Sequence, residues 1–249
     1  MMALMTVNRV DVAQVRCARL AIGLREYELE DLLGLARGAV AAWEERRRPV
    51  DDAAAELLAD LTTAAAGETV RLIEQAAAAG TIETFLDDTD VVSATEGRLA
   101  LAGVYRVCAG RAAMVVPDAR VIRIDADGVE HSTWMACMCA ALGVGQAQMQ
   151  KWFDVPRRAT QYWLNGTRPV PPGIVAELRV ITDAARAHVD ELAAQVDAED
   201  DPIVWVCATE DQMERDWPQH VQLPLVTHQV CAARAAATVE GARLVFLPS

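Results

Sequence analysis

The sequence is poor in aromatic residues, which make up 5% of the chain, and it has one lysine, Lys151, among 23 basic residues. Long apolar runs are missing too: segments such as 76–79 and 99–104 fall far below the roughly 18 residues that a membrane-spanning helix needs. No basic and apolar leader with a small-residue cleavage site opens the chain. We therefore expect a cytoplasmic globular protein with no membrane partner.

Cysteine and histidine spacings that would hold a metal are also lacking. The six cysteines include no Cys-x-x-Cys pair, and the four histidines form no His-x-x-x-His or mixed Cys/His set. We interpret the cysteines as reduced core residues, with metal binding as the less favoured alternative, and we expect no metal and no cofactor. The residues concerned are Cys17, Cys108, Cys137, Cys139, Cys207, Cys231, His131, His188, His220 and His228.

Signatures of catalysis are absent from the sequence. It contains no Gly-rich phosphate loop, no nucleophile elbow and no constellation suited to acid/base chemistry. We interpret acidic residues such as Asp87, Asp88, Asp90 and those of 197–201 as solvated loops or helix starts. The sequence therefore predicts a protein that is not an enzyme.

The net charge of −13 argues against nucleic-acid binding, because affinity for phosphate depends on cationic side chains. The average hides one basic region. Residues 132–182 carry five basic and two acidic residues, whereas 1–62, 63–131 and 183–249 are each net acidic. A nucleic-acid contact, if present, is expected from this region.

The chain repeats itself. An offset of 120 residues aligns nine positions of the first half with identical residues of the second, and an offset of 123 aligns 107–120 with 230–243 at nine of fourteen positions. We interpret the chain as a tandem duplication, with a first unit at 1–126 and a second at 127–249. The nine positions of the first offset are Cys17, Ala21, Gly23, Arg37, Ala39, Trp43, Arg48, Pro49 and Val50.

Each unit has the same predicted elements: three short helices, a long helix, and a strand–helix–strand part. A tight turn between the second and third helices is typical of a helix-turn-helix, whose third helix is shaped to enter a DNA major groove. The predicted fold class is mainly α with short strands (α+β), in two tandem units. The predicted helices are 12–22, 26–33, 37–45, 51–79, 99–114, 134–142, 146–153, 157–164, 172–194 and 223–239, and the strands are 81–86, 120–124, 203–207 and 242–246.

The second unit carries the most specific motif. Residues 155–171 combine an Arg-x-x-Gln-Tyr-Trp helix with Gly-x-Arg and a Val-Pro turn. This segment resembles the YdiL-like, anti-CRISPR-associated family of small helix-turn-helix regulators, a branch of the lambda-repressor-like DNA-binding proteins. Residues 229–246 also fit the family's terminal helix and strand. The resemblance implies a transcriptional regulator that binds double-stranded DNA, with relatives acting as homodimers on inverted repeats.

Two residues of the second unit are candidate base readers. Arg158 and Gln161 lie three apart on one helix face, with Trp163 on the opposite, core-facing side. Arginine can form two hydrogen bonds with guanine and glutamine two with adenine, and the resemblance places both where the family contacts bases. The alternative is a solvated helix face. The predicted contacts to the DNA backbone in this unit are Gln146, Lys151, Arg157, Thr160 and Arg168.

The first unit departs from this pattern. Gly38 stands in place of Arg158 and Ala41 in place of Gln161, and Glu26 replaces Gln146 in an acidic second helix that would repel phosphates. Either its arginines hold the DNA backbone or they form an exposed cluster paired with Glu44 and Glu45. Arg46 also replaces Gly166, the residue suited to ending the third helix with positive φ. The arginines concerned are Arg37, Arg46, Arg47 and Arg48.

These observations predict a sequence-specific DNA-binding regulator, a repressor acting as a single-chain pseudo-dimer. Its first unit would anchor the complex or contact a protein partner, and a homodimer through the C-terminal strand–helix–strand parts would present four heads. The alternative is an acidic protein-interaction module, such as an antirepressor or an inhibitor of a host factor, descended from a helix-turn-helix regulator. The acidic charge favours the alternative, and the set Arg158, Gln161 and Arg168 favours DNA.

Overall fold

The computed structural model describes residues 11–196, 202–220 and 222–248. These residues form a mainly helical structure with two small sheets, which confirms the predicted α+β class. The elements of the first half are α1 (Val12–Ala21), α2 (Glu26–Leu33), α3 (Ala39–Glu44), α4 (Asp52–Ala79), β1 (Thr81–Glu83), α5 (Asp88–Ala94), α6 (Ala102–Val115), β2 (Arg120–Ile124) and β3 (Glu130–Ser132).

The second half begins after β3. Its elements are α7 (Trp134–Ala141), α8 (Gln146–Phe153), α9 (Arg157–Leu164), α10 (Pro172–Ala194), β4 (Ile203–Val206), α11 (Glu210–Asp216), a short 3-10 helix at Pro218–His220, α12 (Leu225–Ala236) and β5 (Arg243–Phe246). The order of α-helices and β-strands from α1 to β2 therefore recurs from α7 to β5, with the 3-10 helix added.

Each predicted helix and strand is present, although the bounds of β1, α6 and α12 differ from the predicted ones by up to three residues. The bounds of α2, α8, α9, α10 and β2 are those predicted. The third helix of the first half was predicted from residue 37, but it begins at Ala39, because Gly38 precedes it in the left-handed conformation with φ 84°. The helices α5 and α11 and the strand β3 were not predicted.

The two missed helices are short, and each begins with a local cap. The Asp87 side chain accepts a hydrogen bond from the backbone N–H of Asp90, and the Thr209 side chain accepts one from that of Gln212. The strand β3 is three residues long and forms only by pairing with β2, so nothing in its own sequence distinguishes it from a loop.

Each sheet contains a parallel pair that needs a crossover. In the first sheet β2 lies between β1, which is parallel to it, and β3, which is antiparallel. In the second sheet β4 and β5 are parallel. The chain returns between the parallel strands through α5 and α6 in the first half and through α11 and α12 in the second. The small sheets thus position α6 and α12 at the centre of the molecule.

The core is continuous across the two halves. The most extensive helix–helix contacts between the halves join α6 to α7 and α1 to α12. At Gly110 on α6, an added Cβ would lie 2.1 Å from the backbone oxygen of Cys137 on α7, so only glycine permits this approach. All six cysteines are buried and free, as predicted, and burial raises the pKa of Cys137 to about 12.

Among the described residues, no helix combines the length and the apolarity needed to cross a membrane.

Candidate nucleic-acid interface

The helices α8 and α9 lie where the sequence predicts the helix-turn-helix of the second half, and they pack against each other. The helix α8 ends at Phe153, three residues connect it to α9, and Pro156 is the N-cap of α9 in an extended conformation. Phe153 and Trp163 are buried between these helices and the rest of the fold. Their burial fixes which face of α9 is presented to solvent.

The exposed face of α9 carries the predicted base readers. Arg158 and Gln161 are both exposed, whereas Trp163 on the opposite side is 7% exposed. Of the predicted backbone contacts, Lys151, Arg157 and Arg168 are also exposed. The structure leaves these five side chains accessible to a ligand.

Tyr162 organises two of the exposed arginines. The Nε of Arg158 donates a hydrogen bond of 2.7 Å to the Tyr162 hydroxyl. The guanidinium of Arg168 lies over the same ring, 4.3 Å from its centroid, within the range of a cation–π contact. Because a guanidinium has five N–H donors and Arg158 uses one here, the other four remain for a base or a phosphate. This role of Tyr162 was not predicted.

Thr160 does not contribute to the exposed face. Its side chain is 0% exposed, and its hydroxyl donates to the backbone oxygen of Arg157 at 2.8 Å. The predicted phosphate contact of Thr160 is therefore wrong: Thr160 lies one turn before the buried Trp163 and so on the buried side of α9, where its hydroxyl satisfies a helix carbonyl.

Gln146 connects the two helices of the motif. Its side-chain nitrogen donates to the Arg157 oxygen at 3.1 Å and to the Thr160 hydroxyl at 3.0 Å. Both amide hydrogens are thus used within the protein, so the predicted phosphate contact is corrected to a linking role. No side chain caps the start of α8. The backbone N–H groups of its first turn are therefore still available to bind an anion such as a phosphate.

In the first half, the helices α2 and α3 present a different surface. Arg37 is exposed, but it donates to the Tyr27 oxygen at 2.6 Å and to Asp31 at 2.9 Å, and Glu30 lies 3.6 Å away. The hydrogen bond that Arg37 donates to Asp31 raises the pKa of Arg37. The charge of Arg37 is compensated by acids of α2, which disfavours its predicted contact with the DNA backbone.

The neighbouring arginines of the first half were predicted either to hold the DNA backbone or to form an exposed cluster paired with Glu44 and Glu45, and the structure agrees with the second alternative only for Arg47. Arg46, Arg47 and Arg48 are exposed, and Arg47 pairs with Glu45 as the paired-cluster alternative predicts. Glu44 pairs instead with Arg19, which is buried beneath α3, at 2.6 Å. Glu44 therefore stabilises the first half internally and does not compensate the exposed cluster.

A groove between the two halves adds cations that were not predicted. It has a volume of about 590 Å³ and reaches from the α1–α2 turn to the start of α8, where Gly145 and Gln146 lie. Arg106 and Arg123 line it, and the Nε of Arg123 is buried without a hydrogen-bond partner. These two arginines lie in the net acidic segment 63–131, so local charge counting could not have found them.

Three of the four histidines converge in the second half, from α10, the 3-10 helix and α12. The N–H of Cys207 donates to Nε2 of His228 at 2.9 Å, and Nδ1 of His228 lies 2.7 Å from Nε2 of His188. Nε2 of His220 lies 2.9 Å from a Glu191 oxygen. Desolvation by burial lowers the pKa of His188 to about 3 and that of His228 to about 4, so both rings are neutral at pH 7.

This cluster includes a group of three metal-ligand residues. Single ligand atoms of His188, Glu191 and His220 all lie within 4.8 Å of one another. The hydrogen bonds, however, assign the protons: neutral His228 accepts at Nε2, donates from Nδ1 to His188, and leaves the His188 proton on Nδ1. The one lone pair of neutral His188, on Nε2, already accepts from His228, so His188 has none left for a cation. The arrangement therefore favours a hydrogen-bonded core cluster over a metal centre.

Comparisons with protein-family models, curated proteins and solved structures return no match for this chain.

Proposed function

We propose that this protein is a sequence-specific DNA-binding transcriptional regulator, a repressor similar to the YdiL-like family, acting as a single-chain pseudo-dimer. The observation that carries the proposal is the exposed pair of Arg158 and Gln161 on α9, a helix held from behind by Trp163. A helix with this shape and this pair can enter the major groove and bond two base edges.

The cations around α9 would position it on the duplex. Lys151, Arg157 and Arg168 are exposed and can neutralise phosphates flanking the groove that α9 enters. Arg106 and Arg123 in the groove between the halves can extend this contact toward the first turn of α8. Repression then follows from occupancy, because a protein seated on a promoter excludes the polymerase.

The pseudo-dimer rests on the proposed tandem duplication. Support comes from the recurring order of elements and from the reciprocal contacts, in which α7 packs on α6 and α1 packs on α12. Such an arrangement joins within one chain what related regulators achieve with two. The first half is then free to serve as an anchor or to bind a protein partner.

The test is a salt-dependent titration of the full chain against a pool of genomic DNA fragments. We expect preferred fragments to emerge, with log affinity falling against log salt at a slope of about −4.5 for five phosphate contacts. Arg158→Ala should relax preference at one base pair and cost about 1–3 kcal/mol. The matched control is Arg215→Ala, an exposed arginine far along the chain that pairs with Asp216. Equal affinity for every fragment, or no binding at modest salt, contradicts the proposal.

A second candidate function is the acidic protein-interaction module. The observation that favours it is the first half, where acids of α2 compensate Arg37 and the overall charge is −13. In that case the protein binds no DNA fragment at low salt, and α2 and α3 contact a transcription protein instead. Cross-linking from Tyr27, which is exposed on α2, to a partner in cell extract distinguishes this outcome when DNA binding fails.

A further inference from the structure

A cavity of about 300 Å³ lies between α1, α4, α12 and β5, away from α8 and α9. Its walls are mainly apolar, with Val15, Leu58 and Leu244 among them, and it is partly open to solvent. The polar groups that face it are few: Gln14, Thr62, Thr63, Arg111 and Arg234. A concave, mostly apolar space with a few convergent polar groups is the form of a small-molecule site.

The two guanidiniums occupy equivalent places in the halves. Arg111 is the tenth residue of α6, and Arg234 is the tenth residue of α12. Arg111 donates from Nη2 to the backbone oxygen of Ala21 at 2.7 Å, while its Nε is buried without a hydrogen-bond partner. Within the described parts of the chain, neither arginine forms an ion pair.

Each charge is held in an unfavourable environment. Desolvation by burial, together with the nearby charge of Arg234, lowers the pKa of Arg111 to about 10. Desolvation also lowers the pKa of Arg234, and Arg186 adds to this effect, while Asp190 opposes it from an exposed position on α10. Two partly buried cations that repel each other, and that form no ion pair within the described residues, cost folding free energy.

An anion in the cavity would remove this cost. A carboxylate or a phosphate can accept hydrogen bonds from both guanidiniums, which present planar sets of donors suited to such groups. The amide oxygen of Gln14 already accepts from the backbone N–H of Leu244 at 3.0 Å, so its nitrogen is oriented as a further donor. The apolar walls would then contact the remainder of the ligand.

We propose that this cavity binds a small organic anion, a carboxylate or a phosphate monoester with an apolar body, through Arg111 and Arg234. The ligand spans both halves of the chain, because Arg111 and α1 belong to the first half and Arg234 and β5 to the second. The site goes beyond the proposed DNA-binding function and does not depend on it.

The experiment uses the full chain without DNA, so its outcome is separate from any test of DNA binding. Calorimetric titrations are made with phenyl phosphate, benzoate, inorganic phosphate and neutral benzyl alcohol. We expect phenyl phosphate or benzoate to bind at one site, inorganic phosphate more weakly because it leaves the apolar walls empty, and benzyl alcohol not to bind. Equal binding of benzyl alcohol, or no binding of either organic anion, overturns the proposal.

Substitutions then assign the site. Arg234→Leu and Arg111→Leu should each weaken binding of the organic anion by at least about ten-fold. Arg234→Lys, which keeps the charge, should weaken it less, whereas Arg215→Leu, outside the cavity, should leave it unchanged. Unchanged affinity in both leucine variants shows that the anion binds elsewhere and also overturns the proposal.

A measurement without ligand provides a second test. Removing one of two repelling cations should raise the melting temperature of the free protein by about 2–4 °C in Arg234→Leu, and the organic anion should stabilise the unsubstituted chain but not this variant. A merely structural arginine gives the opposite sign, a lower melting temperature. If Arg111→Leu fails to fold because its bond to Ala21 is lost, Arg234→Leu and Arg234→Lys still decide the question.

Discussion

The α2–α3 region and the α8–α9 region share a buried framework and differ on their exposed surface. Trp43 on α3 and Trp163 on α9 occupy equivalent positions and are 5% and 7% exposed. Outside, α9 presents Arg158 and Gln161, whereas Gly38 and Ala41 stand at the equivalent points of the first half. The same packing therefore supports two surfaces of different chemistry, because residues that fill the core constrain the fold and exposed residues do not.

The turn after the third helix of each half has the same backbone conformation but a different residue type. Residues 46 and 166 both adopt the left-handed conformation after the third helix, with φ 57° for Arg46 and 69° for Gly166. Glycine has no Cβ and takes this conformation without strain, whereas arginine does not. The shape of the turn is therefore the same in both halves, although only one sequence suits it.

The largest expected effect concerns DNA affinity. The double variant Arg158→Ala/Gln161→Ala should lose about 4 kcal/mol of binding free energy for its preferred fragment, since each bidentate pair contributes about 1–3 kcal/mol. Arg37→Ala in the first half should change affinity less than about two-fold, because Asp31 already compensates that arginine. Fluorescence anisotropy at fixed salt measures both. An equal loss in the two variants removes the functional distinction between the halves.

The next effect concerns the turn after α9. Gly166→Ala should destabilise the protein by about 3 kcal/mol, because positive φ strains alanine and a clash adds to the strain. An added Cβ would lie 2.4 Å from the backbone oxygen of Ser132. Gly34→Ala, whose Cβ meets nothing within 4 Å, is the control and should cost only the strain, about 1 kcal/mol. Urea unfolding measures both, and equal losses would show that the contact with Ser132 is unimportant.

A smaller effect on stability is expected from the histidine cluster of the second half. At the position equivalent to His228, the first half has Tyr105. Since burial lowers the pKa of His188 to about 3 and of His228 to about 4 from 6.5, the unfolded chain binds more protons below pH 6.5. The free energy of unfolding should therefore fall as the pH drops. The expected loss is about 2 kcal/mol between pH 6.5 and 5 for the uptake of one proton on unfolding.

Urea unfolding at several pH values measures this dependence. The variant His228→Gln keeps an oxygen that can accept from the Cys207 N–H but does not titrate, so its stability should fall less steeply. An identical slope in the variant would contradict the assignment of the pH dependence to this cluster.

The smallest effect sharpens the comparison of the two turns. Arg46→Gly should raise the free energy of unfolding by about 1 kcal/mol, since glycine adopts positive φ without the strain that arginine carries. Arg48→Gly, two residues along in the same exposed run, is the control and should not stabilise. A destabilised Arg46→Gly variant would show that the Arg46 side chain makes a contribution larger than the strain.

Much of the helical framework could be predicted from the sequence. The bounds of α8 and α9 follow from local apolar spacing, the turn before Pro156 and the start at Arg157. The exposure of Arg158 and Gln161 follows from the same periodicity, because Trp163 sets the buried side. The role of Thr160 was predicted wrongly from its polar side chain, although the same periodicity places it one turn before Trp163 and therefore on the buried side.

The features that could not be predicted from the sequence depend on contacts between segments that are distant along the chain. Strand β3 forms only against β2, and the histidines meet because α10, the 3-10 helix and α12 pack together. Arg106 and Arg123 meet the start of α8 only in the folded chain. Spacing along the chain carries no signal for such groups, because their neighbours are set by packing rather than by sequence separation.

The sequence by itself determined the helical class, the internal repeat and the one basic segment, because these depend on periodicity, identity and charge along the chain. The tertiary structure decided which cations stay accessible and which are compensated or buried. Arg37 is held by Asp31, and Arg111 and Arg234 face a common cavity. The physical reason is that the environment of a charge depends on everything packed around it, which neighbours in sequence do not specify.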